Sequence, residues 1–417
     1  MPNKAVTPHW RYRSLFLLLS PLLACHSLWQ GYRNKDARLA KQRLGLGLPK
    51  RNDRPVWFHM ASVGEVNAAY PLIKALRHRH PDIPVVVSTI TPTGAENARK
   101  KLGSDVEHFY LPLDFNYASR VVVKKIRPRC TIIMETELWP RFYYQCRKQG
   151  APLLIVNGRL SHKTLKRPAW VHEFYRRALQ NVSHILARSE KDAAHFRQLG
   201  ARTDQVSVVG NIKFAHADEE SAAPPIALPR PYVLAASTHD DEELQISRAW
   251  LDTDLRDAYL LVIVPRHPQR KEAILKQIKP LGSDLAVRSD KDDVTTDTEI
   301  YLADTFGELQ GFIAGAEIIY MGGSIIPRGG QNMIEVARLG KTALFGPHMD
   351  NFEDERDWLL DHDAAIEVDN TEALINTMDA LLAQPERLKE IGQRAQQLVN
   401  QKADVALRYL DALEAYL

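Results

Sequence analysis

The sequence predicts an α/β protein made of two doubly wound halves, on three observations. From residue 55 onward short β-branched runs alternate with helical patterns, the rhythm of βαβ units on parallel sheets. A stretch holding four prolines among small polar residues, 217–231, interrupts that rhythm as a linker would, and the alternation then restarts. A chain of 417 residues also exceeds what one hydrophobic core normally holds, so size alone asks for two domains. Two such halves would face each other across a cleft between the C-terminal edges of their sheets, where doubly wound folds bind ligands.

The only strongly apolar segment, residues 14–29, lies near the N-terminus. Its core, Leu15 to Cys25, would form a helix of roughly 16 Å, about half the thickness of a hydrocarbon layer. Lys4, Arg11 and Arg13 precede it, and Arg33, Lys35, Arg38, Lys41 and Arg43 follow it. Positive charge on both flanks favours a short anchor lying on the cytoplasmic face of a membrane. A signal peptide ending near Leu23-Ala24-Cys25 and a buried helix are the alternatives. Residues 1–55 carry eleven Lys/Arg against two Asp/Glu, whereas the remainder carries 44 against 49. The basic excess is therefore confined to the arm, which points to anionic lipid and away from nucleic acid. Three cysteines without C-x-x-C spacing give no disulfide framework and place the body in a reducing compartment. The expected division is a membrane-associated segment at 1–30, a first domain at 31–220 and a second at 221–417.

Strands are expected at 56–60, 84–89, 106–111, 130–134, 152–157 and 183–188 in the first half. In the second half they are expected at 232–237, 259–264, 299–304, 317–322, 342–346 and 364–368, followed by helix throughout from Thr371. The first strand runs into ASVGEV, 61–66, where Glu65 is either the capping-box partner of Ser62 or a general base at the ligand edge, with Gly64 allowing close packing. The fourth runs into METELWP, 134–140. An extended backbone there would turn Glu135 and Glu137 to one face, and two carboxylates leaving a buried strand need a partner or water.

Lys213 precedes the linker, and Pro265-Arg266 closes the second strand of the second half, where an arginine fork suits phosphate or carboxylate. Gly307 in DTFGEL and the loop PRGGQNMIEVARLG, 327–340, each put glycine before a helix start, offering N–H groups to an anion. Glu335 in that loop cannot pair with an anion and would read sugar hydroxyls, which suggests a nucleotide; a plain tight turn is the alternative. His239, Asp240 and Asp241 in STHDDEE read as a helix cap more than as metal ligands. No H-x-x-x-H, phosphate-binding G-x-x-x-x-G-K-[ST] or strand-linked G-x-G-x-x-G occurs, so no metal, ATPase or dinucleotide site is expected.

Nine stretches in order, ASVGE, TPTGAENA, METELWP, NGRLS, GNIKF, STHDDEE, VPRHPQR, GGSIIPRGGQN and FGPHMDNFEDE, resemble the 3-deoxy-D-manno-octulosonic acid (Kdo) transferases of lipopolysaccharide synthesis. The resemblance implies a GT-B glycosyltransferase of two doubly wound Rossmann-like domains, the first taking a lipid A precursor and the second holding CMP-Kdo. It implies transfer with inversion at the cytoplasmic face of the inner membrane, with no cofactor and no metal. By motif position it makes Glu65 the general base and Glu135 and Lys213 stabilisers of the transition state. CMP contacts carry over to Pro265 and Arg266, to Phe306, Gly307 and Glu308, and to Asn332, Met333, Ile334 and Glu335. The departing phosphate would be met by Arg266, Lys213 and the helix starts near 307 and 331. Two positions depart from the family pattern: Gln331 stands where histidine is common, and Arg141 where asparagine is usual. The alternatives to this function are another GT-B enzyme, a UDP-sugar transferase or epimerase, and a non-catalytic, membrane-recruited nucleotide-binding protein.

Overall fold

The structure, a computed structural model, describes residues 4–160, 162–215 and 223–417. It divides into two compact units, Met1–Ala217 with Asp404–Leu417, and Asp218–Ala403. The expected boundary at 220/221 and the start of the proline-rich stretch lie outside the described residues. The last segment, expected in the second domain, belongs to the first unit, because helix Val405–Leu413 has an apolar face that buries Val405, Tyr409, Leu410 and Leu413. Tyr409 secures it there by donating its hydroxyl to the carbonyl of Gly210 at 2.7 Å.

Seven parallel strands form the first sheet: β1 Val56–His59, β2 Val85–Thr89, β3 Glu107–Tyr110, β4 Cys130–Met134, β5 Leu153–Gly158, β6 His184–Ala187 and β7 Val206–Val208. Helices cover both faces, so β1, β2, β4 and β5 are buried along their whole length and read as unbroken apolar runs. Trp57, Phe109, Phe142, Tyr143 and Phe196 fill the layer beneath the helices. Their order is β3-β2-β1-β4-β5-β6-β7. The chain thus winds one way from β1 and the other way from β4, which opens a crevice at their C-terminal ends.

The second sheet repeats the plan with β8 Tyr232–Thr238, β9 Leu260–Pro265, β10 Leu285–Val287, β11 Ile300–Leu302, β12 Ile319–Met321, β13 Ala343–Phe345 and β14 Ile366–Glu367. Here the order is β10-β11-β9-β8-β12-β13-β14, and the reversal falls between β8 and β12. Twelve of these strands lie where the sequence places them. The two it misses, β7 and β10, are three-residue strands at sheet edges, paired on one side only and too short to show a period. The helical tail from Thr371 is broken into Thr371–Leu382, Pro385–Asn400 and Val405–Leu413.

The N-terminal arm differs from expectation. Helix α1, Trp10–Arg33, has 24 residues, about 36 Å at 1.5 Å per residue, because the charged and aromatic flanks of the apolar core continue it. It is long and apolar enough to cross a membrane by length and composition. One flank nevertheless lies on the unit: Tyr12 donates its hydroxyl to Asp114 at 2.7 Å, Phe16 meets Phe115 edge-on, and Ser27 and Gly31 are buried. The other flank exposes Leu17, Leu18, Leu22, Leu28 and Trp29. Helix α2, Ala37–Arg43, follows, and its Arg43 is not a surface cation but a buried one, donating to the carbonyl of Leu111 at 2.8 Å. Arg38, still exposed, donates to the carbonyl of His108.

Two glycines beside the crevices serve different ends. In α3, Val63–Arg79, Gly64 has open space around it and is not the close-packing position expected: an added Cβ meets nothing nearer than the Ser62 hydroxyl at 3.8 Å. At Gly322, by contrast, a Cβ would stand 2.6 Å from Cα of Thr238 and 2.7 Å from the carbonyl oxygen of Ser237, both backbone of β8. Gly322→Ala should therefore lower stability by about 1–3 kcal/mol through overpacking. Gly64→Ala, in the first turn of α3, should be neutral or stabilise by up to about 1 kcal/mol. Urea denaturation of the two variants checks the contrast, which disappears if strand β8 can give way.

Candidate active site

In the first unit the crevice between β1 and β4 gathers carboxylates. Ser62 caps α3 by accepting the N–H of Glu65 at 3.4 Å. The Glu65 carboxylate folds back to accept the N–H of Ala61 at 2.7 Å and lies 3.3 Å from the Ser62 hydroxyl. Glu65 is thus held by the cap and also faces a cavity of about 230 Å3, whose walls include Glu135, Glu137, Arg159 and Tyr175. The cap and the functional role are compatible at one residue.

Glu135 and Glu137 reach that cavity by a route the strand period does not give. β4 ends at Met134, and Glu135 takes a left-handed backbone with φ of 56°. Such a conformation costs a non-glycine residue energy and is found where geometry is over-determined, often at functional sites. The extended pairing expected from sequence is therefore replaced by a turn. Its counter-charges are Arg159, 3.6 Å from Glu135, and the buried Arg43, whose field acts on Glu137. The sequence marks neither arginine: Arg159 is one polar residue of NGRLS, and Arg43 reads as one of the membrane-facing cations.

Burial dominates the electrostatics. It pushes the Glu65 carboxyl up to about 8, the Ala61 N–H opposing and the neighbouring Glu135 and Glu137 adding to the rise. Glu137 is raised by burial as well, with Arg43 pulling it back. The turn is braced from below by Asp114, buried and raised by desolvation, which accepts the N–H groups of Arg141 and Phe142 at 2.8 and 2.7 Å. The Arg141 side chain leaves the carboxylates alone and reaches α1, donating to the carbonyl of Arg13 and lying over the ring of Phe16. Lys213 occupies a 3-10 turn, Ile212–Phe214, that packs against α3; it is not among the residues lining the cavity. A larger cavity of about 820 Å3, walled by Lys50, Arg54, Lys124 and Arg127, lies at the opposite edge of the sheet and contains none of the expected site residues.

In the second unit the crevice between β8 and β12 holds a loop cluster. Glu242, at the start of helix Glu242–Leu251, is buried and accepts the N–H groups of His239, Gly323 and Ser324 and the Tyr320 hydroxyl. Glu243, also buried, pairs with Arg270 at 2.8 Å. Within STHDDEE, Glu242 is therefore the anchor of the glycine loop, while the exposed Asp241 takes the N-cap position without a side-chain cap bond; no metal-ligating group of three occurs among the described residues. Arg266 is exposed beyond Pro265 and donates its N–H to the Thr238 carbonyl, which brings it beside His239. Asn332 donates its amide to Glu335 at 3.1 Å and accepts the N–H of Ile334, while Met333 and Ile334 are buried.

Phe306 is exposed, Gly307 has φ of 86°, and the Glu308 carboxylate is held by Arg288 and Thr305, which draws it down to about 2. The helices that follow these loops, Leu309–Gly315 and Ile334–Arg338, have only seven and five residues. Their dipoles are too short to carry the anion binding expected of them, so any such binding falls to loop N–H groups and side chains.

A sequence profile of the 3-deoxy-D-manno-octulosonic-acid transferase (kdotransferase) family matches residues 38–216. The chain is similar to the 3-deoxy-D-manno-octulosonic acid transferase of Haemophilus influenzae, 30% identical over 98% of this chain and 99% of that one. It is 32% identical to the 3-deoxy-D-manno-octulosonic acid transferase of Bordetella pertussis over 90% of each chain. Among solved structures, UDP-GlcNAc 2-epimerase from Neisseria meningitidis, bound to UDP-GlcNAc, matches with a TM-score of 0.58 over 86% of this chain and 99% of that one. At 16% identity that likeness shows the fold alone, which is GT-B.

The folded chain holds the Glu65 proton more tightly than the unfolded chain does, so the stability linked to it is complete below the ordinary carboxylate range and is lost as pH rises toward 8. Glu65→Gln should accordingly melt with wild type at pH 4 and progressively above it toward pH 9. Carbon-13 titration of the Glu65 carboxyl should give a midpoint near 8, lowered in Glu135→Gln. An ordinary carboxylate midpoint, or melting curves that stay together at all pH values, would remove the basis for an activated base.

Proposed function

We propose a specific reaction for this chain, which belongs to the 3-deoxy-D-manno-octulosonic acid transferase family: transfer of Kdo from CMP-Kdo to a hydroxyl of a lipid A precursor, with inversion. The observation that carries the mechanism is Glu65, a carboxylate made unusually basic and facing a cavity. A proton acceptor works best with a pKa near the working pH, and a carboxylate near 8 accepts a hydroxyl proton far better than one near 4.5. Glu65 takes the acceptor proton as the hydroxyl oxygen bonds to the anomeric carbon. The bond from that carbon to the CMP phosphate breaks in the same displacement, CMP leaves with the electron pair, and configuration inverts.

Positive charge developing at the anomeric carbon is met by Glu135, and negative charge on the phosphate by Lys213 and Arg266. The donor is held by the second unit, its phosphate near Arg266 and the loops at 306–308 and 332–335, with Glu335 on the ribose hydroxyls. A lipid-linked acceptor fits the first unit, where the exposed apolar flank of α1 adjoins the turn carrying Glu135 and Glu137 through Tyr12, Asp114 and Arg141. With Tyr12, Phe16, Ser27 and Gly31 against the unit and its apolar flank exposed, α1 would lie on the membrane surface, here the cytoplasmic face of the inner membrane.

Mass spectrometry of the product from purified protein, CMP-Kdo and a tetraacylated lipid A precursor tests the reaction. Glu65→Gln should lower kcat by about a hundred- to ten-thousand-fold, the usual worth of general-base catalysis, with CMP affinity unchanged. Product from a UDP-sugar, or full turnover by the variant, would refute the proposal. Leu18→Asp with Leu22→Asp should weaken binding to vesicles containing phosphatidylglycerol while leaving the melting temperature in place; unchanged vesicle binding would remove α1 as the membrane contact.

A further inference from the structure

His239 directly follows β8, beside the crevice at the reversal of the second sheet. Its half-buried ring lies close against Gly323: a Cβ on that glycine would stand 2.9 Å from Cδ2 and 3.3 Å from Nε2. Nε2 is 3.1 Å from the amide nitrogen of Gln331. A carboxamide NH2 can only donate, so Nε2 accepts and the ring proton sits on Nδ1. Nδ1 has no hydrogen-bond partner among the described residues. The charged and titratable groups acting on the ring are Glu242, His267, Arg328 and Arg266. His267 stands perpendicular at 5.8 Å between ring centroids. The one acid, Glu242, already accepts the N–H groups of His239, Gly323 and Ser324. A spare donor is thus set among two arginines and a second histidine, an environment for an anion.

We propose that His239 donates Nδ1–H to the phosphodiester of the cytidylyl donor and that Gln331 positions it by occupying Nε2. The inference rests on the reading that the second unit holds CMP-Kdo. Burial lowers the pKa of His239, with Glu242 opposing and the neighbouring cations assisting, which favours the neutral ring, and its tautomer decides what it offers. A glutamine at 331 fixes that tautomer, whereas a histidine there could present either a donor or an acceptor nitrogen.

The test is calorimetric binding of the methyl ester of CMP, a phosphodiester of constant single charge near neutral pH, to the full chain. Asparagine places an amide nitrogen near the position of Nδ1, and glutamine places one near Nε2. His239→Asn should keep affinity within about threefold, while His239→Gln should lose about ten- to a hundred-fold, the worth of one hydrogen bond to a charged group. Gln331→Leu should weaken binding in wild type and add nothing in His239→Asn, since the two residues act through one bond. Cytidine, which lacks the phosphate, should bind all variants alike. Equal losses in the asparagine and glutamine variants would make His239 a space-filling residue and overturn the inference, as would wild-type affinity in His239→Gln. A wild-type chain that does not bind the phosphodiester at all would instead overturn the donor assignment on which the inference stands.

Discussion

A carboxylate placed in the turn after the first strand of a parallel sheet is the constraint around which each unit is organised. At that point the winding direction reverses, the loops on either side diverge, and backbone N–H groups are left without strand partners. Glu242 resolves this in the second unit by taking three N–H groups and a tyrosine hydroxyl, which fixes the loop after β12 against the loop after β8. Glu65 stands in the corresponding turn of the first unit but receives only one short N–H bond and a distant hydroxyl, with two further carboxylates lining its cavity. The same architectural position therefore yields a fully bonded anchor in one unit and a carboxyl with a raised pKa facing a cavity in the other. The difference is the number of donors supplied.

The arm is tied to the first of these sites by a second buried acid. Asp114 takes the N–H groups that begin helix Pro140–Lys148, so it sets the exit of the turn holding Glu135 and Glu137. It also accepts the hydroxyl of Tyr12 on α1, and Arg141 returns the contact through Arg13 and Phe16. Where asparagine is usual in the family, the longer arginine spans from the turn to the arm. The arm and the segment that presents the carboxylates thus share one hydrogen-bonded support.

Much of this was legible in the sequence where the signal is local. The strands buried on both faces announce themselves as apolar runs, and the S-x-x-E pattern locates both the cap and Glu65. What escaped depends on partners distant in sequence. Arg43 looks like one more cation in a basic arm until Leu111 and Glu137 are folded over it, and Glu242 looks solvated until the loop at 322–324 is brought to it. Glu135 escaped for a different cause: strand periodicity assumes an extended backbone, and a left-handed residue at the strand end breaks that assumption. The edge strands β7 and β10 and the true length of α1 failed through brevity and through charged flanks, neither of which alters the apolar pattern that periodicity detects.

The charge balance of the first site also dictates a division of labour. Three carboxyls face two arginines, Arg159 beside Glu135 and Arg43 behind Glu137, and because burial keeps the proton on Glu65 up to about 8, the two arginines match the other two acids near neutral pH. Arg159, the cation lining the cavity, already faces Glu135 and leaves no charge over for a phosphate. A sugar carbon gaining positive charge would be favoured beside such carboxylates. The loops of the second unit have the opposite character: their acids are consumed by backbone N–H groups or by arginine, leaving Arg266 and His239 exposed or half-exposed beside the glycine turn. The two units thus differ in character: carboxyls line the cavity of the first, and an exposed arginine stands at the loops of the second.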